Sequence, residues 1–220
     1  MKKEILERKG AISLCFNKCF QALDDFLIGL DMIFPKLVRY GLAKKMLLVQ
    51  LQAYRQQYHF NGIYLLPVNL YGPGDHFSLA TSHVIPALID KMVVAKREKK
   101  KEVVVWGTGK VSREFLYVED CAEGVLLAAE HYNQPGPVNL GTGSEILICN
   151  LVELIRRLVG YEGRIVWDTT RPDGQPKRRL DIHRAQQAFG FQAKVPLEEG
   201  LQRTIEWFLA QGVSEKYDSQ

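Results

Sequence analysis

Several features that would assign a function at once are missing from this sequence. No apolar run approaches the roughly 20 residues that a membrane-spanning helix needs. The charged start, KKEILERKG, differs from the apolar core of a signal peptide. A glycine-rich phosphate loop is also missing. We therefore expect a cytoplasmic protein with no membrane partner, and its 220 residues offer no ready-made cradle for a dinucleotide.

Cysteine chemistry is sparse. The four cysteines, Cys15, Cys19, Cys121 and Cys149, form no disulfide framework, and no histidine or cysteine pair follows at zinc-ligand spacing. We predict free thiols in a reducing compartment, and no metal site.

An excess of one charge is missing as well. The chain has 29 basic and 25 acidic side chains, and the net charge of +4 is too small to indicate nucleic-acid binding. The run KREKKK, residues 96–101, has no interleaved aromatic residues and lies at a predicted helix end, where cations are favourable. We interpret this run as a solvated helix end and expect no nucleic-acid partner.

From residue 39 onward, helical and strand-like patterns alternate. Because parallel strands need helical crossovers, this alternation predicts an α/β fold with a largely parallel sheet. The first helix carries an apolar stripe at helical spacing, formed by Leu42, Met46, Val49 and Ala53. The predicted helices cover residues 39–58, 82–101, 118–133, 150–160, 182–190 and 197–211, and the predicted strands cover 62–74, 102–109, 113–118, 137–143 and 163–168.

Helix ends and loops carry more specific signals. Ser82 is predicted to cap the second helix, with Pro86 in its first turn. Gly160 is predicted to end the helix that precedes it. The stretch RPDGQPKRR, residues 171–179, predicts a polar loop that is rich in turn residues.

The stretch YGLAKK places Tyr40 one helical turn before Lys44, on the same helix face. A phenol has an ordinary pKa of about 10, and a close ammonium favours its ionised form, so such a pair suits acid–base catalysis. The same spacing also occurs on many surface helices. Taken alone, the pair leaves both interpretations open.

Six motifs follow this pair in a fixed order: LLPVNLYGPGD, SHVIPALI, VVVWGTG, REFLYVED, VNLGTG and RPDGQPKR. Together they resemble the extended short-chain dehydrogenase/reductase superfamily, and within it the GDP-L-fucose synthase family of NAD(P)-dependent epimerase/dehydratases. The resemblance covers about residues 39–210. It implies a Rossmann-type parallel sheet and a smaller α/β lobe that binds the substrate.

By this resemblance, the reaction is the 3,5-epimerisation and 4-reduction of GDP-4-keto-6-deoxymannose with NADPH. Tyr40 would protonate the C4 oxygen as a hydride arrives at carbon, with Lys44 beside it. His83 would act as an acid or base in epimerisation, and an unperturbed imidazole pKa near 6.5 suits that role. The same three residues would contact NADP. Without the resemblance, a histidine near a helix start is more often structural.

The resemblance also assigns a GDP-sugar site to Asn69, Lys91, Trp106, Arg113 and Lys177. The chemistry agrees, because a diphosphate needs cationic partners and arginine can bind it through two parallel hydrogen bonds. On the residues alone, Arg113 and Lys177 could be solvated surface charges and Trp106 could belong to the core. Those alternatives stay open at this point.

The N-terminal half of the family has no counterpart in the sequence. Members begin with a strand, a GxxGxxG turn and a helix that together hold the dinucleotide pyrophosphate, whereas only two glycines precede Tyr40. We therefore expect an N-terminally truncated member, whose incomplete Rossmann-type sheet lacks its first strands and phosphate loop. Residues 1–38 would be a remnant of the nucleotide-binding domain and 39–70 its C-terminal part. Residues 71–220 would be mainly the substrate lobe, with 118–141 returning to the sheet.

Three functions stay open. The chain is an epimerase-reductase of this family, a non-catalytic remnant that binds a sugar nucleotide or a dimer partner, or another NDP-sugar epimerase or dehydratase. The missing phosphate loop favours the remnant for this polypeptide. We also expect a homodimer through the helix that carries Tyr40, with Met46, Leu47, Leu48 and Leu51 partly at the interface.

Overall fold

The computed structural model describes residues 36–77 and 82–211 of the chain. The predicted remnant at residues 1–38 therefore lies almost wholly outside the described residues, as do Cys15 and Cys19. Cys121 and Cys149 are free thiols.

Helices and strands alternate along the described ranges, as the sequence predicts. The elements in chain order are α1 (Lys36–Tyr58), β1 (Leu65–Pro67), β2 (Asn69–Tyr71), α2 (Val84–Arg97), β3 (Glu102–Trp106), β4 (Ser112–Arg113), β5 (Phe115–Tyr117), α3 (Val118–His131), β6 (Val138–Leu140), β7 (Ile146–Leu147), α4 (Ile148–Val159), β8 (Arg164–Asp168), β9 (Lys177–Arg178), α5 (His183–Phe189) and α6 (Leu197–Ala210).

Strand pairing is largely parallel, which confirms the predicted α/β class. Strand β1 pairs with β6, β2 with β5, β3 with β8 and β4 with β9, all in parallel. Only the pair of β4 with β7 is antiparallel among the strands described. Helix α3 connects β5 of the β2–β5 pair to β6 of the β1–β6 pair.

The predicted strand 62–74 forms as two strands, β1 and β2, interrupted at Val68, and two further strand predictions need adjustment. The predicted strand 113–118 is interrupted at Glu114, which separates β4 from β5. The predicted polar loop 171–179 contains the short strand β9, which adds to β4. Both adjustments concern the same place in the fold, beside Arg113.

Helix α1 forms as predicted, but its apolar stripe does not face the core. Leu42, Met46 and Val49 are 45%, 42% and 64% exposed, whereas Ala43 is buried. A helical period indicates that apolar residues share a face, and it does not indicate which face the rest of the chain covers. Met46, which we expect to lie partly at a dimer interface, is on this exposed side of the helix.

The predicted cap of α2 is wrong. The N-cap position is His83, which makes no side-chain capping bond, and the hydroxyl of Ser82 is buried without a hydrogen-bond partner. Pro86 lies in the first turn as predicted. At the other end, the ammonium of Lys96 donates to the carbonyl of Val159 at 2.8 Å, so part of the KREKKK run binds the neighbouring helix end.

The core consists of two apolar clusters. The first lies between α2, α4, α6 and β3, and Ile89, Met92 and Leu151 within it are fully buried. The second joins β1, β5 and β6 to α3 and α5 around Leu116 and Leu140. Each fully buried side chain of this size contributes about 1.5–3 kcal/mol, so the clusters fix the strands whose ends carry the site. None of the described helices has the length and apolar content that crossing a membrane would require.

Candidate functional site

A cavity of about 230 Å³ lies where β3 ends, against the start of α2. Its apolar lining includes Val84, Leu88 and Val105, and its polar lining includes Arg113 and Asp173. Mixed lining of this kind, with a few convergent polar groups, is typical of small-molecule sites.

Trp106 forms one wall of this cavity and is 62% exposed. The reason is strand alternation: Val103 and Val105 of β3 point into the core, whereas Val104 and Trp106 point away from it. The alternative in which Trp106 is a core residue is therefore wrong.

Two cations lie over the Trp106 ring. The Lys91 ammonium and the Arg171 guanidinium carbon are each 5.2 Å from the ring centroid, within cation–π range. The Lys91 ammonium also donates to the Val104 carbonyl at 3.3 Å. The predicted residues Lys91 and Trp106 are thus brought together, and Arg171 is an additional cation that sequence reasoning did not single out.

Arg113 fastens the loop that closes one side of the cavity. Its Nη1 donates to the carbonyls of Ser112 at 2.7 Å and Gln175 at 2.6 Å, and its Nη2 donates to the Asp173 carbonyl at 3.3 Å. Arg113 is therefore partly buried and well ordered by its contacts, which rules out the alternative of a solvated surface charge.

Asp173 joins the same loop to the turn after β3. Its carboxylate accepts hydrogen bonds from the Thr108 amide and the Thr108 hydroxyl, both at 2.6 Å. These bonds to Thr108 hold the pKa of the Asp173 carboxyl below its ordinary value. Gly107 adopts φ +87°, and a side chain there would collide with the Asp173 carboxylate. The turn and the loop are therefore locked together over the cavity.

Lys177 lies beside Arg113 through strand pairing, because Ser112 is its partner in the β4–β9 register. Its ammonium is 2.6 Å from a carboxylate oxygen of Glu145, and the other oxygen of Glu145 accepts the Ser112 hydroxyl at 2.8 Å. Lys177, ahead of Ser112, is the main cause that lowers the pKa of Glu145. Lys177 is thus exposed but paired with a carboxylate.

Asn69 contacts the same strand from the other side. Its Nδ2 donates to the Glu114 carbonyl at 2.9 Å, one residue after Arg113. All five predicted substrate residues thus have contacts near the end of β3 or the β4–β5 segment, and two of them, Trp106 and Arg113, line the cavity.

The predicted acid–base residues lie on two helices. Helix α1 carries Tyr40 four residues before Lys44, and the Lys44 carbonyl accepts the Tyr64 hydroxyl at 2.7 Å. His83 is exposed at the start of α2, directly before Val84 of the cavity. Neither Lys44 nor His83 lines the cavity itself. The catalytic roles of Tyr40, Lys44 and His83 stay predictions.

A second, larger cavity of about 400 Å³ shares Arg113 with the first. Its lining includes Tyr71, Phe115, Ile146 and Glu145. Burial raises the pKa of the Tyr71 phenol well above its ordinary value, so this group stays neutral. Arg113 lines both cavities, whereas the Trp106 ring lines only the smaller of the two, so we assign the functional site to the smaller cavity.

The described residues do not fit the pyrophosphate of a dinucleotide. Such a group needs free backbone N–H donors at a glycine-rich turn. The described chain has two Gly-Thr-Gly turns, and carboxylates already occupy both: Asp173 accepts from Thr108, and Glu114 accepts from Thr142 and Gly143. In the same ranges, no three His, Cys, Asp or Glu side chains are grouped as a metal site would need.

Two carboxylates and one cation of the site were missed by sequence reasoning: Glu114, Asp173 and Arg171. Glu114 interrupts an otherwise apolar strand. A lone acidic residue in such a run is a signal from which the sequence could have indicated a buried, hydrogen-bonded carboxylate. Asp173 and Arg171 fall within the predicted polar loop 171–179, from which the resemblance assigns only Lys177 to the site.

Comparison with known proteins agrees with this geometry. Residues 30–141 match the model of the NAD dependent epimerase/dehydratase family. A probable GDP-L-fucose synthase 1 of Oryza sativa subsp. japonica is 45% identical over 177 residues, which is 80% of this chain and 54% of that protein. GDP-L-fucose synthase of Escherichia coli strain K12 is 40% identical over 179 residues, 77% of this chain and 56% of that protein.

Solved structures show the same likeness. A GDP-L-fucose synthetase from Naegleria fowleri bound to NADP superposes with a TM-score of 0.73 at 29% identity, over 79% of this chain and 56% of that chain. The chain spans about half the length of the curated relatives that it matches. With half of its own residues matched by the family model, the chain belongs to the NAD dependent epimerase/dehydratase family.

Proposed function

We propose that the cavity beside Trp106 binds a GDP-linked 4-keto-6-deoxy sugar, as the substrate lobe of a GDP-L-fucose synthase-like 3,5-epimerase-4-reductase. One observation carries the proposal: an exposed indole with Lys91 and Arg171 over its ring stands next to Arg113. An aromatic face and cations are the two features that a nucleoside diphosphate requires. The names of the similar proteins support GDP as the nucleotide.

The size of the cavity indicates which part of the ligand it takes. A volume of about 230 Å³ is below the roughly 300–1,000 Å³ of sites for whole drug-sized ligands. The base therefore lies against Trp106, and the diphosphate extends towards Arg113 and Lys177. The sugar then lies outside the cavity, where the exposed imidazole of His83 is accessible.

Acid–base chemistry on the sugar belongs to Tyr40, Lys44 and His83. Where bound NADPH supplies the hydride to C4, Tyr40 would donate a proton to the C4 oxygen and Lys44 would stabilise the phenolate that results. His83 moves a proton in epimerisation. Asn69 orients the substrate from β2.

NADP(H) supplies hydride chemistry when it is bound to the complete fold of this family. Tyr40, Lys44 and His83 would hold its nicotinamide end. The described residues offer no cradle for its pyrophosphate, because both Gly-Thr-Gly turns are occupied. The proposed function of the described chain is therefore sugar-nucleotide binding with acid–base residues, and the reduction is not assigned to it.

The same division applies to the domains. We assign 39–70 and 118–141 to the nucleotide-binding domain, and most of 71–220 to the substrate lobe. The pairing of β1 with β6 and the cluster around Leu116 and Leu140 support this assignment.

A second candidate is a non-catalytic binding partner that pairs through α1, either as a homodimer or with a homologue. The exposed apolar stripe of Leu42, Met46 and Val49 favours it, because contiguous apolar surface marks interaction sites.

The two described cysteines are free thiols, which fits the cytoplasmic location that we propose.

A thermal-shift titration tests the proposed function. GDP-fucose at 100 times its Kd adds about 2.7 kcal/mol, a shift of about 5–10 °C for a chain of this size. We expect this shift with GDP-fucose, a smaller one with UDP-glucose at the same concentration, and none with NADPH. A cooperative melt that does not move with GDP-fucose would contradict the proposal. A shift with NADPH would instead show a cofactor cradle outside the described residues.

A further inference from the structure

Glu114 follows Arg113 of the site, and its buried carboxylate accepts hydrogen bonds from the backbone of the turn 141–143 and of Leu180. Its side chain is fully buried, at 0% exposure. One oxygen accepts hydrogen bonds from the amides of Thr142 at 2.6 Å and Gly143 at 2.8 Å, and the Thr142 hydroxyl lies 3.3 Å from it. The other oxygen accepts the amide of Leu180 at 2.7 Å. A carboxylate taken out of water is strongly unfavourable unless such bonds replace its hydration.

The position of Glu114 in the chain links these bonds to the site. Adjacent residues of an extended strand point to opposite sides. Arg113 lines the cavity, whereas Glu114, the next residue, points inward to the turn 141–143. Fixing the Glu114 carboxylate therefore fixes the rotation of the strand and the direction of the Arg113 guanidinium.

Leu180 connects Glu114 to the other wall. It follows the loop 173–177, whose carbonyls accept from Arg113 and whose Asp173 binds Thr108. One carboxylate thus ties the strand that bears Arg113 to the far end of the loop that Arg113 holds. Glu114 thereby adds a tie to Leu180, beyond the β4–β9 pairing and the bonds of Arg113 to the loop.

We propose that Glu114 is a positioning residue: its buried carboxylate holds Arg113 and the segment 173–180 at the spacing that a nucleoside diphosphate needs. The inference rests on the proposed function, because it concerns the same cavity. It adds a role for a residue that touches neither substrate nor cofactor, and it explains why the VNLGTG turn requires glycine. A side chain at Gly141 would collide with the Glu114 carboxylate.

Glu114→Gln is the first test, and Asp120→Asn is its matched control. Asp120 is another buried carboxylate, 3% exposed, that accepts backbone amides of Lys194 and Val195 at 3.1 and 3.0 Å. Both of those bonds end on one oxygen, so asparagine can keep them. Glutamine at 114 cannot, because its NH₂ group would face either Leu180 or the turn, and both present N–H donors.

Two measurements on the full chain decide the matter, both well below the melting temperatures of the variants. Amide hydrogen exchange of the peptide 172–180, without ligand, should be faster in Glu114→Gln and unchanged in Asp120→Asn. The Kd for GDP, by calorimetry, should rise on the order of tenfold in Glu114→Gln only. Arg113→Ala should then weaken binding less in the Glu114→Gln background than in the wild type, because its guanidinium is already displaced.

Gly141→Ala keeps the test open if Glu114→Gln does not fold. Its methyl group would displace the carboxylate without changing its charge, and Gly141 is not among the positive-φ glycines, so alanine suits its backbone. We expect the same faster exchange and the same weaker GDP binding.

Three outcomes would overturn the inference. They are unchanged exchange in 172–180, faster exchange with an unchanged Kd, and an equal loss of affinity in Asp120→Asn. A wild-type chain that binds neither GDP nor GDP-fucose overturns the proposed function and the ligand named here. The exchange experiment then still decides whether Glu114 fastens the segment.

Discussion

The loops around Trp106 and the helix that carries Tyr40 are held in place by different means. The loops are fixed by charged side chains that bind distant backbone: Arg113 to Gln175, Asp173 to Thr108 and Glu114 to Leu180. Because each of these bonds joins a charged side chain to a distant part of the chain, the site keeps its shape within the described residues.

Helix α1 has fewer attachments to the other residues that the structure describes. Of residues 41–58 only Ala43 is buried, and the apolar stripe faces away from the core. Arg55 ties its C-terminal half by donating to the Gly62 carbonyl and to Asn133, each at 2.8 Å. The difference separates the proposed nucleotide site, which the described loops build, from Tyr40 and Lys44, which lie on a helix with few attachments to the other described residues. The two can be separated by experiment.

Arg113→Ala should have the largest effect on the site. Loss of a charged hydrogen-bond partner worth about 1.5–3 kcal/mol weakens GDP binding by roughly 10- to 150-fold. Calorimetry with GDP measures this effect. Arg164→Ala is the control, because Arg164 pairs with Glu102 at the opposite end of the same β3–β8 ladder and is 76% exposed. Equal affinities of the two variants would remove Arg113 from the diphosphate site.

Trp106→Ala should have the next largest effect. Stacking of a base on an aromatic ring is worth about 1–3 kcal/mol, so we expect weakening on the order of tenfold with little change in melting temperature. Val104→Ala, on the same exposed face of β3, should bind GDP as the wild type does. A strongly lowered melting temperature with normal affinity would make Trp106 a structural residue after all.

Val49→Glu tests the other region. Because Val49 is 64% exposed, the free energy of unfolding should change by less than about 0.5 kcal/mol. The GDP affinity should not change. Sedimentation velocity should show a shift from dimer to monomer, since a charge enters the apolar stripe. Gln50→Glu adds the same charge to an exposed position about 100° around the helix from Val49, outside the stripe, and should leave the dimer intact. A wild-type monomer would contradict the proposed homodimer.

The elements could be predicted from sequence because their signals are local. Helical period, strand composition and end residues such as Gly160, which adopts φ 69° at the end of α4, lie within a few positions of what they determine. The prediction of Ser82 as the N-cap was wrong by one position, since His83 is the N-cap residue. Helix ends are the least certain part of such predictions.

The bonds that build the site could not be predicted, because they join distant parts of the chain. Glu114 meets Thr142 and Leu180, 28 and 66 residues away, and Asp173 meets Thr108 across 65 residues. The exposure of Trp106 was equally hidden. Its strand, EVVVW, is apolar at four of five positions, so no alternation marked which side faces the solvent.

The smallest effect that we predict is the pH dependence of the bonds between Asp173 and Thr108. The pKa of Asp173 is lowered by its bonds to Thr108, from an ordinary value of 3.8. A lowered pKa means that these bonds stabilise the loop fully above the ordinary value and are lost as the pH falls through the lower folded value. Between pH 5 and 8 this lock should therefore not change, and GDP affinity should show no step from it.

Thr108→Val removes the hydroxyl donor and keeps the amide, so the pKa of Asp173 should rise towards 3.8 without reaching it. Carboxyl ¹³C NMR of the labelled chain follows this titration. Thr170→Val is the matched control, because a Thr170 hydroxyl bond lowers the pKa of Asp168 in the same way. Each variant should move only its own carboxyl. Identical Asp173 titrations in the wild type and in Thr108→Val would show that the loop is not locked to the turn after β3. The loop would then be held by two of the three bonds that distinguish it from helix α1, those of Arg113 and Glu114.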